Sequence, residues 1–143
     1  MDARRVTNEL AVSAQISAKD VPEIAAAGFL SIICNRPDGE SADQTSFDEI
    51  EQAAKAAGLE IVWQPVLSGA VQERDGEQFG EIVDGLPGPV FAYCRSGTRC
   101  IILWSLSQAK SRPSDDIIRM AAEAGYDLRG LQTRLDAIRA SAA

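Results

Sequence analysis

The chain has 143 residues, 45% of them apolar, a net charge of −7 and no histidine. That length suits one domain, residues 1–143, around one core, and the acidic balance argues against a nucleic-acid partner, because affinity for a phosphate backbone rests on clustered Lys and Arg. The missing histidine removes Ser-His-Asp and Cys-His catalysis and most zinc sites, so any chemistry falls to cysteine, carboxylates, arginine or backbone amides, with no cofactor and no metal expected.

In chain order, "MDARRVTNEL" lacks the apolar core of a signal peptide, and no run of about eighteen apolar residues occurs, so a cytoplasmic protein with no membrane partner is expected. "NELAVSAQ" alternates weakly and predicts a first strand. In "SAKDVPEIAAAG", Ser17 with Asp20 three residues on predicts a helix start, and Gly28 its stop. "FLSIIC" is a short apolar run ending at Cys34 and reads as a buried strand. "NRPDGES" is a loop, since Pro37 and Gly39 break regular structure. Ser46 and Glu49 form a capping box for a helix running to Gly58. "LEIVWQ" reads as a third strand and "PVLSGAV" as a loop. "QERDGEQFGEIVDGL" reads as a helix weakened by Gly76 and Gly80, ended by "PGP". "VFAYC" is a fourth strand, and "CIILWSLSQAK" has the apolar density of a buried helix. "PSDDIIRMAAEAG" and "LRGLQTRLDAIRA" supply two more helices. There is no internal repeat, low-complexity segment or linker.

Strands alternating with helices imply an α/β fold, with a mostly parallel sheet of four to five strands and helices on both faces. In such folds the reactive loops lie at the carboxyl ends of the strands. Cys34 with "NRPDGE", the loop "PVLSGAV", and Cys94 with the loop after it are therefore expected at one edge of the sheet. Trp63 and Trp104 are expected in the core, with a stacking role for either as the alternative.

The stretch "CRSGTR", residues 94–99, joins a strand to a helix. The amides of Arg95, Ser96, Gly97 and Thr98 can turn inward as the helix begins, and Gly97 permits a tight turn. Such a ring of N–H groups, with a helix N-terminus behind it, is an anion cradle. A thiol at its centre loses its proton readily; cysteine pKa values at such sites fall from about 8.5 to roughly 3.5–7.5. The thiolate of Cys94 is then a nucleophile for the phosphorus or sulfur of a tetrahedral oxyanion, and the cradle stabilises the charged transition state. The plain alternative is a structural cysteine at a strand end followed by a solvated turn. Gly97, Arg99 and the apolar helix directly after them weigh against it. An odd count of three cysteines without paired spacing fits a reducing compartment rather than a disulfide scaffold.

Other side chains carry two readings each. Arg99 is expected to close over the bound anion with a bidentate fork, or to lie in solvent at the helix start. Arg95 faces the substrate or points outward. Ser96 and Thr98 either offer hydroxyls to the anion or cap the following helix. Asp38 is the best stand-in for a general acid, if its carboxyl is buried beside the thiolate; otherwise it belongs to an ordinary Pro-Asp-Gly turn. Arg36 pairs with that carboxylate, meets the substrate, or stays on the surface. Cys34 is either a small core residue or, if the strands ending at Cys34 and Cys94 are neighbours, a sulfur near disulfide range of Cys94, whose oxidation would switch off the nucleophile. Cys100 starts the helix behind the loop, as packing or as a redox partner.

Taken together, "ELAVSAQI", "GFLSIICNRPDGE", "PGPVFAYCRSGTRC" and "AAEAGYDLRGL" resemble the β-lactamase-hydrolase-like, phosphatase-like family of small bacterial proteins. The resemblance covers nearly the whole chain and implies the dual-specificity-phosphatase architecture with a cysteine-based active loop. The same loop departs from the phosphatase pattern. Phosphatases of that fold place five residues between the nucleophile and the loop arginine; here four separate Cys94 from Arg99, and Cys100 takes the usual arginine position. Tyr93 replaces the usual histidine, and Ser68 stands where a general-acid aspartate is usual. The shorter spacing instead resembles the active loop of single-domain rhodaneses, whose cysteine carries a persulfide. Three functions follow as expectations: a phosphatase-like hydrolase with a phosphocysteine at Cys94, a sulfurtransferase with a Cys94 persulfide, and a non-catalytic anion-binding module. The corresponding partners are a small-molecule, phosphoprotein or persulfide substrate; the sequence sets no oligomeric state.

Overall fold

The computed structural model describes residues 2–142. Five strands, β1 (Arg4–Thr7), β2 (Leu10–Ser13), β3 (Ser31–Cys34), β4 (Glu60–Trp63) and β5 (Val90–Tyr93), form one sheet in the order β1-β2-β5-β3-β4. The strands β2, β5, β3 and β4 run parallel, and β1 folds back antiparallel on β2. Six helices, α1 (Val21–Ala26), α2 (Phe47–Ala56), α3 (Glu73–Gly85), α4 (Thr98–Gln108), α5 (Ser114–Glu123) and α6 (Gln132–Ser141), flank it. This is the mostly parallel α/β sheet that the alternating pattern predicts. The hairpin strand β1 is an addition: its residues are only partly covered, so it leaves no apolar run to read.

The pleat divides the core. Leu10, Val12, Ile33, Val90 and Ala92 pack beneath α3 to α6, while Ala11, Ile32 and Phe91 pack beneath α1 and α2. Both central strands β3 and β5 are buried along their whole length, as parallel strands covered on two faces must be. Helix starts follow the local chemistry. Ser46 Oγ accepts the Glu49 amide at 3.3 Å, and the Ser17 amide donates to Asp20 at 2.8 Å. No helix among the described residues is long and apolar enough to cross a membrane.

Gly76 and Gly80 do more than weaken α3. A Cβ on Gly76 would lie 2.5 Å from Leu106 Cβ and 3.2 Å from the Leu103 carbonyl, and one on Gly80 would lie 3.1 Å from Ser107 Cβ. The glycines let α3 press onto α4, and that contact offsets a helix-propensity loss of about 1 kcal/mol each. Helix α4 is buried along most of its length, through Cys100, Ile101, Leu103, Trp104 and Leu106. Its N-terminus carries the cysteine loop, so this clamp fixes the loop's base.

Trp104 fills the core as expected, but Trp63 is 41% exposed. The correction follows from β4 being an edge strand, which offers its end no second layer. The Trp63 ring stacks on Phe47 at 4.8 Å, and its Nε1–H donates to the Arg36 carbonyl at 3.0 Å. It fastens the loop after β3 instead of filling the core.

Candidate active site

Parallel strands deliver three loops to one edge of the sheet: residues 35–46 after β3, 64–72 after β4 and 94–97 after β5. They meet around Cys94. The Gly97 amide points at the Cys94 sulfur, 3.1 Å away. The Cys94 pKa is lowered to about 5, first by a hydrogen bond from the Cys100 side chain, against burial, and then by the amides of Cys100, Ser96 and Gly97. Gly97 has φ +92°, and a Cβ there would run into the Tyr126 hydroxyl. That hydroxyl donates to the Ser96 carbonyl at 2.9 Å and pins the outside of the loop. Of the four amides expected to turn inward, those of Gly97 and Ser96 favour the Cys94 thiolate, while the Thr98 amide turns to Ser96 Oγ. Ser96 Oγ and Thr98 Oγ1 lie 3.0 Å apart, and the Thr98 amide reaches Ser96 Oγ at 3.5 Å, so the two hydroxyls brace the turn.

Arg99 differs from its expectation. Its two terminal nitrogens each lie 2.8 Å from an oxygen of Glu40, and Nη1 also donates to the Val66 carbonyl at 3.0 Å. Arg36 approaches the same carboxylate through Nε at 3.0 Å and also holds Gln15 and Ser41. Glu40 thus sits between two buried guanidiniums. Arg99's hydrogen bond, followed by that of Arg36, pulls the Glu40 carboxyl down to about 2 despite partial burial. The fork read as closing over a substrate anion already grips an internal one. The sequence carries no local sign of this role for Glu40, because its partner Arg99 lies 59 residues away.

Three further placements decide between readings that the sequence leaves open. Asp38 is exposed and accepts the Phe47 amide at 2.8 Å, so it braces the approach to α2 rather than standing beside the thiolate. Arg36 pairs with Glu40, not with Asp38. Strands β3 and β5 are indeed neighbours, but Cys34 is in register with Tyr93. The pleat therefore sends Cys34 into the core beneath α1 and α2, and Cys94 into the core beneath α4. The Cys34 sulfur donates to the Arg36 carbonyl at 3.4 Å, and burial raises its pKa. Cys100 adjoins Cys94 and is pushed well up by burial. All three cysteines are free and buried.

A cavity of about 440 Å³ opens beside the cradle, walled by Glu40, Ser68, Arg95, Ser96, Thr98 and Arg99 among others. Cys94 has no exposed surface. It does not line the cavity, so a reacting atom reaches the sulfur only when the loop around it moves. The one carboxylate on the wall is Glu40, and its low pKa keeps it ionised at neutral pH. No proton donor for a leaving group stands among the described residues of the wall.

Residues 2–111 match the sequence model of a family described as "Beta-lactamase hydrolase-like protein, phosphatase-like domain". A beta-lactamase hydrolase-like protein of Agrobacterium fabrum is 35% identical over 130 residues, which are 90% of this chain but 30% of that relative. The chain thus spans under a third of that relative's length. A candidate phosphatase from Neisseria meningitidis, solved crystallographically, superposes with a TM-score of 0.88 at 39% identity, over 97% of this chain and 99% of that one. The core catalytic domain of a PP-IP phosphatase from S. cerevisiae superposes at 0.67 with 15% identity, over 99% of this chain and 91% of that one, which is a likeness of fold.

Proposed function

The chain belongs to the phosphatase-like domain family of beta-lactamase hydrolase-like proteins, and from that premise we propose that it is a cysteine-dependent hydrolase of phosphate monoesters. The observation that carries this reading is the Cys94 sulfur, held near pKa 5 by backbone amides and the Cys100 thiol. As a thiolate it attacks phosphorus; the P–O ester bond breaks and a phosphocysteine forms. Water then attacks that phosphorus, the S–P bond breaks, and inorganic phosphate leaves with the thiolate restored. The amides of the loop hold the non-bridging oxygens as charge builds on them. Arg99, anchored by Glu40, supplies a fixed positive charge beside the loop. The departing oxygen takes its proton from solvent, because the wall offers no acid. The loss of general-acid help costs about 10²–10⁴ in rate for poor leaving groups. The three free thiols suit a reducing compartment, and the cytoplasm is the location we assign.

Turnover of p-nitrophenyl phosphate, abolished in Cys94→Ser and accompanied by a trapped phosphoryl adduct on Cys94, is the expected result. A second reading draws on the four-residue spacing and the missing acid: sulfur transfer. Here the Cys94 thiolate attacks the sulfane sulfur of thiosulfate, the S–S bond breaks, and sulfite leaves a persulfide. A gain of one sulfur atom on Cys94, without phosphatase turnover, selects that chemistry. Full biological effect in Cys94→Ser selects an anion-binding module, which the enclosed sulfur favours.

A further inference from the structure

The cavity beside the cradle carries more positive charge than one phosphate monoester uses. Arg95, Arg99 and Arg134 line it against a single carboxylate, Glu40, in a chain of net charge −7. Glu40 is already shared between Arg36 and Arg99. Arg95 is exposed, and its side chain makes no hydrogen bond or ion pair among the described residues, although its carbonyl accepts the Gln15 amide at 3.3 Å. Arg134, on α6, spends one nitrogen on the Val71 carbonyl at 2.7 Å and has no carboxylate partner among the described residues. Two guanidiniums thus reach the same cavity from opposite elements, one from the cysteine loop and one from the C-terminal helix. The same cavity is lined by Val71, Ile102 and Leu131, which give it an apolar part.

We propose that Arg95 and Arg134 form a second anion subsite, so that the substrate is a small organic phosphate with an apolar body and a second anionic group. This rests on the hydrolase reading for the first anion, which sits in the amide cradle. The second anion neutralises the two unpaired guanidiniums, where charge-assisted hydrogen bonds are the strong ones. The apolar body covers Val71, Ile102 and Leu131. A cavity of about 440 Å³ holds a compact ligand of this kind.

Calorimetric binding to the Cys94→Ser protein separates this subsite from catalysis. The probes are phenylphosphonate and 4-carboxyphenylphosphonate, which differ only in the second anion. The carboxylated probe is expected to bind about tenfold tighter, and Arg95→Ala or Arg134→Ala is expected to reduce that ratio toward one. Arg134→Lys is expected to keep part of it. Equal affinities in the parent protein, binding of neither probe, or a ratio untouched by both arginine variants overturns the subsite. Tighter binding of an acidic phosphotyrosine peptide than of the carboxylated probe overturns the small-molecule assignment. Absence of hydrolysis by the unmodified protein, with the binding ratio intact, sinks the hydrolase reading and leaves the subsite standing.

Discussion

Arg99 and Glu40 face each other fork to fork, with two N–O distances of 2.8 Å. The pair joins the loop after β3 to the first turn of α4, and through Arg36 it reaches Gln15 after β2. One carboxylate therefore ties together three of the segments that surround the cysteine loop. An arginine beside an active cysteine is usually read as a hand held out to the substrate; here the hand is already held.

Removing Glu40 should therefore cost stability. Glu40→Ala leaves Arg36 and Arg99, 4% and 5% exposed, without a counterion. The expected loss is about 3 kcal/mol, the low end for breaking a buried pair because Glu40 itself is partly exposed. Sulfate or phosphate should restore part of the lost Tm by taking the carboxylate's place. An unchanged Tm in Glu40→Ala would refute the anchoring role.

The same pair sets an acid limit. The Glu40 pKa is lowered from its ordinary 4.5 to about 2. A depressed carboxylate pKa stabilises the fold fully above the ordinary value and stops doing so as pH falls through the folded value. The stability gap between the native chain and Glu40→Gln should thus persist through mildly acid pH and close only near pH 2. A gap already closed at pH 4 contradicts the assignment.

Cys94 should titrate near pH 5, well below its ordinary 9.0. Ultraviolet thiolate absorbance should rise through that pH, and the rise should vanish in Cys94→Ser. Below pH 5 the protonated thiol does not attack, so kcat should climb through that range and then stay level. A falling limb near neutrality would reveal a proton donor that the cavity wall does not contain.

Without that donor, the rate should follow the leaving group steeply. Aryl phosphates with acidic phenols should turn over about 10²–10⁴ times faster than alkyl phosphates. Comparable rates for the two classes would mean that some group protonates the departing oxygen.

Gly97 should not tolerate a side chain. Its φ of +92° and the Tyr126 hydroxyl both oppose a Cβ, and the left-handed conformation alone costs roughly 1–2 kcal/mol in other residues. Gly97→Ala should displace the amide now 3.1 Å from the sulfur and move the Cys94 pKa back toward 9.0. Gly97→Ala combined with Tyr126→Phe should recover only part of the stability, because the backbone strain remains. An unshifted thiolate titration in Gly97→Ala would remove the cradle's role in acidifying Cys94.

How much of this was legible follows from what each signal is made of. Apolar runs announce the buried strands β3 and β5, and the capping boxes at Ser17 and Ser46 announce helix starts within a residue or two. The cysteine loop was readable because its glycine and its place between strand and helix are local properties. Strand β1 was hidden, being a half-exposed edge that repeats no apolar pattern. Glu40 was hidden because its partner Arg99 lies 59 residues away, and only the sheet order brings them together. Asp38 misled for the converse reason. A carboxylate next to a candidate site looks chemical, yet its nearest demand was an unpaired amide on Phe47. For Cys34 the structure selects the core reading over the redox one: the strands are neighbours, but a single step along the pleat exchanges the faces of the sheet.

The indole of Trp63, half in water and donating to the Arg36 carbonyl, has a spectroscopic consequence. Trp104 is shielded in the core, so a change in emission on anion binding is expected to come from Trp63 and the loop it fastens, and to be lost in Trp63→Phe. Any anion that takes Glu40's place must disturb the residue whose carbonyl Trp63 grips. The protein thus carries its own fluorophore for watching the site open, and no label is needed to time that event.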